Sequence, residues 1–216
     1  MTLQRQTHET IGARYEAYWA QDAPPPVGDP LAPVRLRLLR DRLAGIGAHT
    51  ALEIGCGLGD VTAALSGDGF LATGMDIAAE AVRVASKRHP DCTFRQHPVE
   101  RLPWPVEAAS QDVAVSFEVI EHLMEPRALL MGAHEVLRTG GHLALTTPYH
   151  GTAKNIVMAL RGFDGHFDVE GEHIRFFSDR ALRRLLGESG FDVVELTHFG
   201  RFAPLWAGVF VWAVKR

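Results

Sequence analysis

Only two cysteines, Cys56 and Cys92, occur in 216 residues. They cannot build a disulfide framework, so a hydrophobic core has to hold the fold, and a reducing, cytoplasmic setting is expected. Positive charge is not in excess: 22 Lys and Arg stand against 26 Asp and Glu, a formal net charge of −4. Surfaces that grip nucleic acid carry a basic patch or stripe, and the lack of one argues against a nucleic-acid partner. Long apolar runs are missing as well. The longest, Phe202 to Val214, is interrupted by Pro204 and Gly208 and ends in Lys215-Arg216. A membrane-spanning helix needs about 20 apolar residues, so a core strand is the better reading and no membrane span is expected. The start, Met1 to His8, is polar and holds no secretory signal. Internal repeats and low-complexity segments are absent. What is present, a 46% hydrophobic chain, suits one globular domain with a sizeable core.

The most telling stretch is Ala51-Leu52-Glu53-Ile54-Gly55-Cys56-Gly57-Leu58-Gly59-Asp60. A short apolar strand containing an acid runs into three alternating glycines, and Asp60 to Leu65 then reads as the start of a helix. Strand, glycine loop, helix is how an open parallel sheet builds a nucleotide site. The dinucleotide fingerprint G-x-G-x-x-G does not fit. The last glycine comes one residue early, and Asp60, standing in its place, would repel a pyrophosphate at the helix start. Glu53 suits a ligand with a cationic amine.

Strand and helix candidates alternate from Gly45 onward. Before them, Ile11 to Ala20 reads as a helix with Tyr15, Tyr18 and Trp19. Pro24-Pro25-Pro26 and Gly28-Asp29-Pro30 must be loop. Val34 to Leu43 has helical spacing of its apolar residues among arginines. The strand candidates are Ala51 to Ile54, Leu71 to Met75, Thr93 to Gln96, Val113 to Phe117 and His142 to Thr146. Helices fit Ile77 to Arg88 and Pro126 to Leu137, with Gly140-Gly141 placed to cap the second. This alternation implies right-handed crossovers and a parallel sheet. After Pro148 the pattern changes. Tyr149 to Phe177 carries no strand signal, only a short apolar helix candidate, Ile156 to Leu160. Ser178 to Ser189 reads as a helix capped by Ser178. Phe191 to Leu196 and Leu205 to Val214 look like two final strands joined through Gly200-Arg201, an antiparallel hairpin.

The loop resembles the first motif of class I S-adenosylmethionine methyltransferases, E/D-x-G-x-G-x-G. The element order is similar to theirs too: a Rossmann-like α/β fold with a seven-stranded, mostly parallel sheet, an antiparallel last strand and helices on both faces. The resemblance covers Leu52 to about Leu196. It implies a single domain over 1–216, with a helical cap at 1–45 and an insert at 149–177 over the active site. It also implies S-adenosyl-L-methionine as cofactor and S-adenosyl-L-homocysteine as product. Asp76, closing the second strand, matches by position the acid that accepts the ribose hydroxyls in this family; it equally suits an N-cap for the following helix. His97 to Trp104 resembles the family's D-A-x-x-L-P-F stretch. Pro98 falls where the acid that holds the adenine amino group should be. Adenine is then expected on the backbone of Val99 and Glu100, sandwiched by Ile77, unless Leu102 and Trp104 simply pack this loop.

Ser116-Phe117-Glu118-Val119-Ile120-Glu121-His122-Leu123 follows the fourth strand, at the carboxyl edge where ligands bind in such sheets. Its E-V-I-E-H-L is similar to that of methyltransferases of ubiquinone and menaquinone biosynthesis, the ubiquinone-biosynthesis O-methyltransferase type foremost. It is also found in enzymes that 2′-O-methylate small-RNA 3′ ends. Glu118, Glu121 and His122 lie at i, i+3 and i+4, so one helical turn would put them on one face. With His173 as a further ligand they could bind a divalent metal. In metal-free relatives the histidine hydrogen-bonds locally and the glutamate lines the pocket. The cofactor contacts implied by the resemblance are Glu53, Gly55, Cys56, Gly57, Asp76, Ile77, Val99, Glu100, Phe117 and Glu118.

Methyl transfer from a sulfonium is an in-line displacement, and alignment supplies much of its rate. An oxygen nucleophile also needs a base. His122, His150, His166 and His173 are candidates, His122 and His173 foremost as catalytic residues. Phe163, Phe167, Phe176 and Phe177 suit a flat apolar acceptor, or pack the insert onto the sheet. Tyr15, Tyr18 and Trp19 cap the cofactor, or belong to the core. The expected reaction is O-methylation of a small aromatic or quinone-like hydroxyl. C- or N-methylation of another small molecule and 2′-O-methylation of RNA 3′ ends are the alternatives within the enzyme class. The glycine spacing and terminal hairpin disfavour a nicotinamide-dependent reductase. A non-catalytic S-adenosylmethionine-binding module would need an obstructed acceptor pocket. The expected partner is a small-molecule methyl acceptor, and a homodimer is compatible with this reading.

Overall fold

The computed structural model describes residues 12–13, 15–19, 29–162 and 173–216. Strands β1 (Thr50–Ile54), β2 (Leu71–Asp76), β3 (Thr93–Gln96), β4 (Gln111–Phe117), β5 (Leu137–Pro148), β6 (Phe191–Phe199) and β7 (Gly208–Lys215) form one sheet, in the order β3-β2-β1-β4-β5-β7-β6. Strands β1 to β5 pair in parallel, and β7 runs antiparallel to both β5 and β6. This is the expected Rossmann-like sheet with its antiparallel last strand. The helices are α1 (Ala32–Leu43), α2 (Asp60–Gly67), α3 (Ala79–Arg88), α4 (Pro126–Val136), α5 (Thr152–Arg161) and α6 (Asp179–Glu188). Residues 12–13 and 15–19 are helical as well.

Alternation along the strands supplies a core on each side of the sheet. In β4, Ala114 packs with Leu129, Leu130 and Ala133 of α4 and with Leu182 and Leu186 of α6. Val113 and Val115 turn the other way, onto Leu38 and Leu39 of α1 and Leu65 of α2. Helix α6 follows directly from its sequence. Ser178 caps it by accepting from the Ala181 N–H, and Leu182 and Leu186, one turn apart, form the buried stripe. Trp104 lies flat against Gly132 of α4, where a Cβ would approach its ring to 2.4 Å. The Trp104 indole donates to the Val99 carbonyl at 2.9 Å.

Three expectations are corrected. Gly140-Gly141 does not cap α4. That helix ends at Val136, Leu137 turns extended, and both glycines lie within the long β5. The register against β4 jumps from Gln111–Leu137 to Val113–His142, so the glycines serve an irregularity inside the strand. A Cβ on Gly141 would stand 2.8 Å from the Arg138 carbonyl. The helix expected over Ile156 to Leu160 is a longer one, α5. The last strand starts at Gly208 rather than Leu205, because Leu205 closes a turn onto the Phe202 carbonyl at 2.7 Å.

The glycine loop leaves β1 through Gly55 in the left-handed region, φ +74°, where a Cβ would meet Val119 at 2.4 Å. Gly59, at φ +81°, is the N-cap of α2, and a Cβ there would collide with Phe94 at 2.6 Å. Glu53 turns under this loop. Its carboxylate accepts from the Thr62 N–H at 2.7 Å and from the Thr62 hydroxyl, tying β1 to α2. Burial pushes the Glu53 carboxyl up to about 8, against the pull of the Thr62 hydrogen bonds. A carboxyl whose pKa is higher folded than unfolded stabilises the fold below its ordinary pKa and loses that contribution as pH rises toward the folded value. Glu53→Gln keeps an acceptor oxygen and removes the titration. The ligand-free wild type should therefore come closest to Glu53→Gln in Tm near pH 4.5 and fall behind it progressively to pH 8.5, by roughly 3–8 °C in scanning calorimetry. A difference constant across that range would refute this role of Glu53.

Candidate active site

A cavity of about 280 Å³ opens at the carboxyl edge of the sheet. Gly55 and Gly57 of the glycine loop, Asp76 and Ile77 at the end of β2, Pro98, Val99 and Glu100 after β3, and Glu118 and His122 after β4 line it. Tyr15, Tyr18 and Trp19 cover it from the amino terminus. The structure therefore brings together eight of the residues expected from sequence: Gly55, Gly57, Asp76, Ile77, Val99, Glu100, Glu118 and His122.

Asp76 is not the N-cap expected, because α3 starts at Ala79 rather than Ile77 and Ala78 is its N-cap; Asp76 ends β2 and faces the cavity. Its Oδ1 accepts from the Ala78 N–H and its Oδ2 from the Gly57 N–H, each at 2.9 Å. Burial raises its pKa, and the backbone hydrogen bonds oppose that rise. Glu53, Cys56 and Phe117 are not among the lining residues. Glu53 is engaged by Thr62 as described. Cys56 is buried, its thiol pKa pushed up by desolvation, and its N–H donates to the Met75 carbonyl at 3.0 Å. Phe117 shares a face with Val113 and Val115, so its ring packs toward Phe210, 6.3 Å away. Strand alternation puts its side chain across the sheet from α4.

The segment after β4 differs from the single helical turn expected. Glu118 adopts φ +54°, a left-handed conformation that costs a non-glycine residue energy and tends to mark functional sites. A three-residue 3-10 turn, Ile120–His122, follows. Glu118 therefore parts from the other two residues. It accepts from the Thr146 hydroxyl at 2.8 Å and stands 3.8 Å from the Arg35 guanidinium. Glu121, His122 and His173 converge instead, offering ligand atoms that all lie within 4.8 Å of one another. The rings of His122 and His173 are 4.9 Å apart.

Glu121 is fully buried, and burial, with Glu118 nearby, pushes its carboxyl up to about 8. Thr147 donates to its Oε2 at 3.1 Å, and its carbonyl accepts from the N–H groups of Ile174 and Arg175. Its Oε1 makes no hydrogen bond among the described residues and faces His122 Nε2 at 3.8 Å. A buried acceptor without a donor is costly, and a carboxylate beside two imidazoles is a donor set that suits a divalent cation. By this test the residues fit a metal.

Two further candidates fall away from the cavity. His150 is buried beside Asn155, with Phe176 against its ring at 4.8 Å, and Phe177 belongs to the core. His166, Phe163 and Phe167 lie outside the described residues. Sequence reasoning missed Arg35, a buried arginine of α1 whose guanidinium pairs with Asp29 and reaches Glu118. Desolvation lowers its pKa, while Glu118 and Glu121 oppose that shift. The signal was its spacing, i−3 and i−4 from the buried Leu38 and Leu39, which sets a charge in the apolar stripe of a helix.

Residues 14–196 match the family model described as a methyltransferase domain. The ubiquinone biosynthesis O-methyltransferase of Glaesserella parasuis is 27% identical over 186 residues, 81% of this chain and 78% of that protein. The protein of the same name from Cronobacter sakazakii is 28% identical over 134 residues, and there the match spans only 54% of the relative's length. Among solved structures, the magnesium protoporphyrin IX methyltransferase of Synechocystis PCC 6803 with bound SAH superposes with a TM-score of 0.66 at 16% identity, covering 97% of this chain and 96% of that one. At such identity the last likeness speaks for the fold alone. Among the described residues no helix is long and apolar enough to cross a membrane. With the family model spanning most of the chain and a glycine-loop cavity at the carboxyl edge, the chain belongs to the methyltransferase domain family and is an S-adenosylmethionine-dependent methyltransferase.

Proposed function

We propose that this enzyme methylates a hydroxyl of a small aromatic or quinone-like acceptor. The observation that carries the reading is the Glu121–His122–His173 cluster, whose His122 lines the cavity. A hydroxyl must lose a proton to become a good nucleophile, and a cluster of imidazole and carboxylate beside the cavity is suited to take it. The names of the relatives from Glaesserella parasuis and Cronobacter sakazakii support the same acceptor class.

The cofactor supplies a methyl group on a sulfonium, activated for in-line displacement. Asp76 is positioned for the ribose hydroxyls. Ile77 and Val99 supply apolar walls for adenine, and Glu100 stands beside Pro98 to meet its amino group. Glu118 and Arg35 present an anion and a cation side by side, which complements a zwitterionic amino-acid end. Tyr15, Tyr18 and Trp19 cover the cavity and exclude water from the sulfonium. His173 stands beside His122 on the proposed acceptor side. Where no metal is bound, His122 accepts the hydroxyl proton. When bound at Glu121, His122 and His173, a divalent cation would supply a lowered hydroxyl pKa and a fixed acceptor orientation.

Isothermal calorimetry should show a micromolar-range Kd for SAH, weakened about 10–100-fold by Asp76→Ala; NADH binding in place of SAH would overturn the reading. Turnover of catechols or quinols should vanish after dialysis against a chelator and return with magnesium or manganese. Glu121→Gln should lose that metal response and keep its affinity for SAH. Full turnover in chelator would leave His122 as a base acting without metal.

A further inference from the structure

The amino-terminal helical residues hold the rest of the chain by more than their aromatic rings. Glu16 reaches the start of α3, where its carboxylate accepts from the N–H groups of Ala79 and of Glu80, the latter at 3.0 Å. Helix α3 has no side-chain cap of its own, its N-cap residue being Ala78. The first N–H groups of a helix need acceptors from outside it, and the helix dipole favours an anion there. Two carboxylates divide this helix start: Asp76, facing the cavity, takes the Ala78 N–H, and Glu16 takes the next two. On the same short helix, Trp19 covers Gly57, where a Cβ would come within 3.3 Å of its ring, and Gly12 faces Ile77. These helical residues are thus joined to the cavity walls by apolar contacts at Gly12 and Trp19 and by the charged contact of Glu16 between them.

We propose that Glu16 is a positioning residue that latches the amino-terminal helix over the cavity and so sets the rate at which cofactor enters and product leaves. The latch rests on the reading of this cavity as the S-adenosylmethionine site. Its anchor is the helix start that directly follows Asp76 and Ile77, both of which line the cavity. Closing the cap and filling the cavity therefore act on the same piece of backbone. Withdrawal of Glu16 would leave two N–H groups of α3 to water and free Tyr15, Tyr18 and Trp19 to move off the opening.

The test measures SAH affinity and dissociation rate, with KM and kcat, for wild type, Glu16→Ala, Glu16→Gln, Trp19→Ala and the Glu16→Ala/Trp19→Ala double variant. Glu16→Ala should raise the SAH dissociation rate and the KM for S-adenosylmethionine about 5–10-fold while kcat changes far less. Glu16→Gln, which keeps one acceptor oxygen, should recover part of the loss. In the Trp19→Ala background Glu16→Ala should add little, because the latch acts through the cap. An undiminished effect of Glu16→Ala in that background would reduce Glu16 to a cap of α3 and overturn the proposal, as would unchanged SAH release in Glu16→Ala alone. A wild type that binds no SAH would overturn the reading of the cavity and the latch with it, and the wild-type titration alone tells that case apart.

Discussion

The carboxylate of Asp76 holds three pieces of backbone in register. It ends β2, accepts from Gly57 in the glycine loop and accepts from Ala78 at the start of α3. One residue earlier, the Met75 carbonyl accepts from both Gly55 and Cys56, at 2.7 and 3.0 Å. The glycine loop is thereby folded back on the end of the neighbouring strand by its own amides. That is feasible only because Gly55 can adopt a positive φ with no Cβ to strike Val119. A side chain at that position would push Val119 aside, and Val119 is itself a wall of the cavity. The cavity, the entry into α2 and the anchorage of α3 therefore stand or fall on this one tie.

The same edge concentrates acid. Glu53, Asp76 and Glu121 are all buried, each with its pKa raised chiefly by desolvation, and Glu118 lines the cavity beside them. Arg35 is the buried arginine set against this group. A protein that only needed to fold would gain by replacing such carboxylates with apolar side chains. A ligand that brings a sulfonium and an ammonium into the cavity offsets the charge that the ligand-free chain must carry. The cost to the empty fold and the affinity for a cationic cofactor are two readings of one electrostatic arrangement, which is why the pH response of Glu53 belongs to the ligand-free state.

How much of this was legible in the chain depends on how local the cause is. Thr93–Gln96 emerged with its observed bounds, and Ser178 capped α6 as expected, because strand alternation and an N-cap are written in adjacent residues. The glycine loop and Asp76 were legible for the same reason. Glu118 was not: spacing alone put it on a face with Glu121 and His122, whereas its left-handed backbone turns it toward Arg35 and Thr146. No local rule assigns a positive φ to a glutamate, and here Glu118 is tied to Thr146 of β5 through both its N–H and its carboxylate. Phe117 was placed in the site by its position in a motif, while the two-residue period of β4 sends its ring to the opposite core. Glu16 and Arg35 act across 63 and 83 residues respectively, on Ala79 and Glu118, and pairings at that range leave no periodic trace.

The two halves of the site are built by different means, and this bears on what each can recognise. The cofactor half rests on backbone amides, the Asp76 bonds and glycines that tolerate no Cβ, so its shape has little freedom to vary. The proposed acceptor half rests on a short 3-10 turn, the Glu121 carbonyl held by Ile174 and Arg175, and the neighbouring His173. Each of those contacts joins the motif after β4 to the segment around residue 174. A change of sequence around Ile174 and Arg175 can therefore move His173 against His122 without disturbing Asp76 or the glycine loop. On the proposed reading, acceptor choice can drift while the methyl donor stays fixed, and the boundary between the two halves is Glu118, which belongs to the motif by sequence and to the cavity wall by conformation.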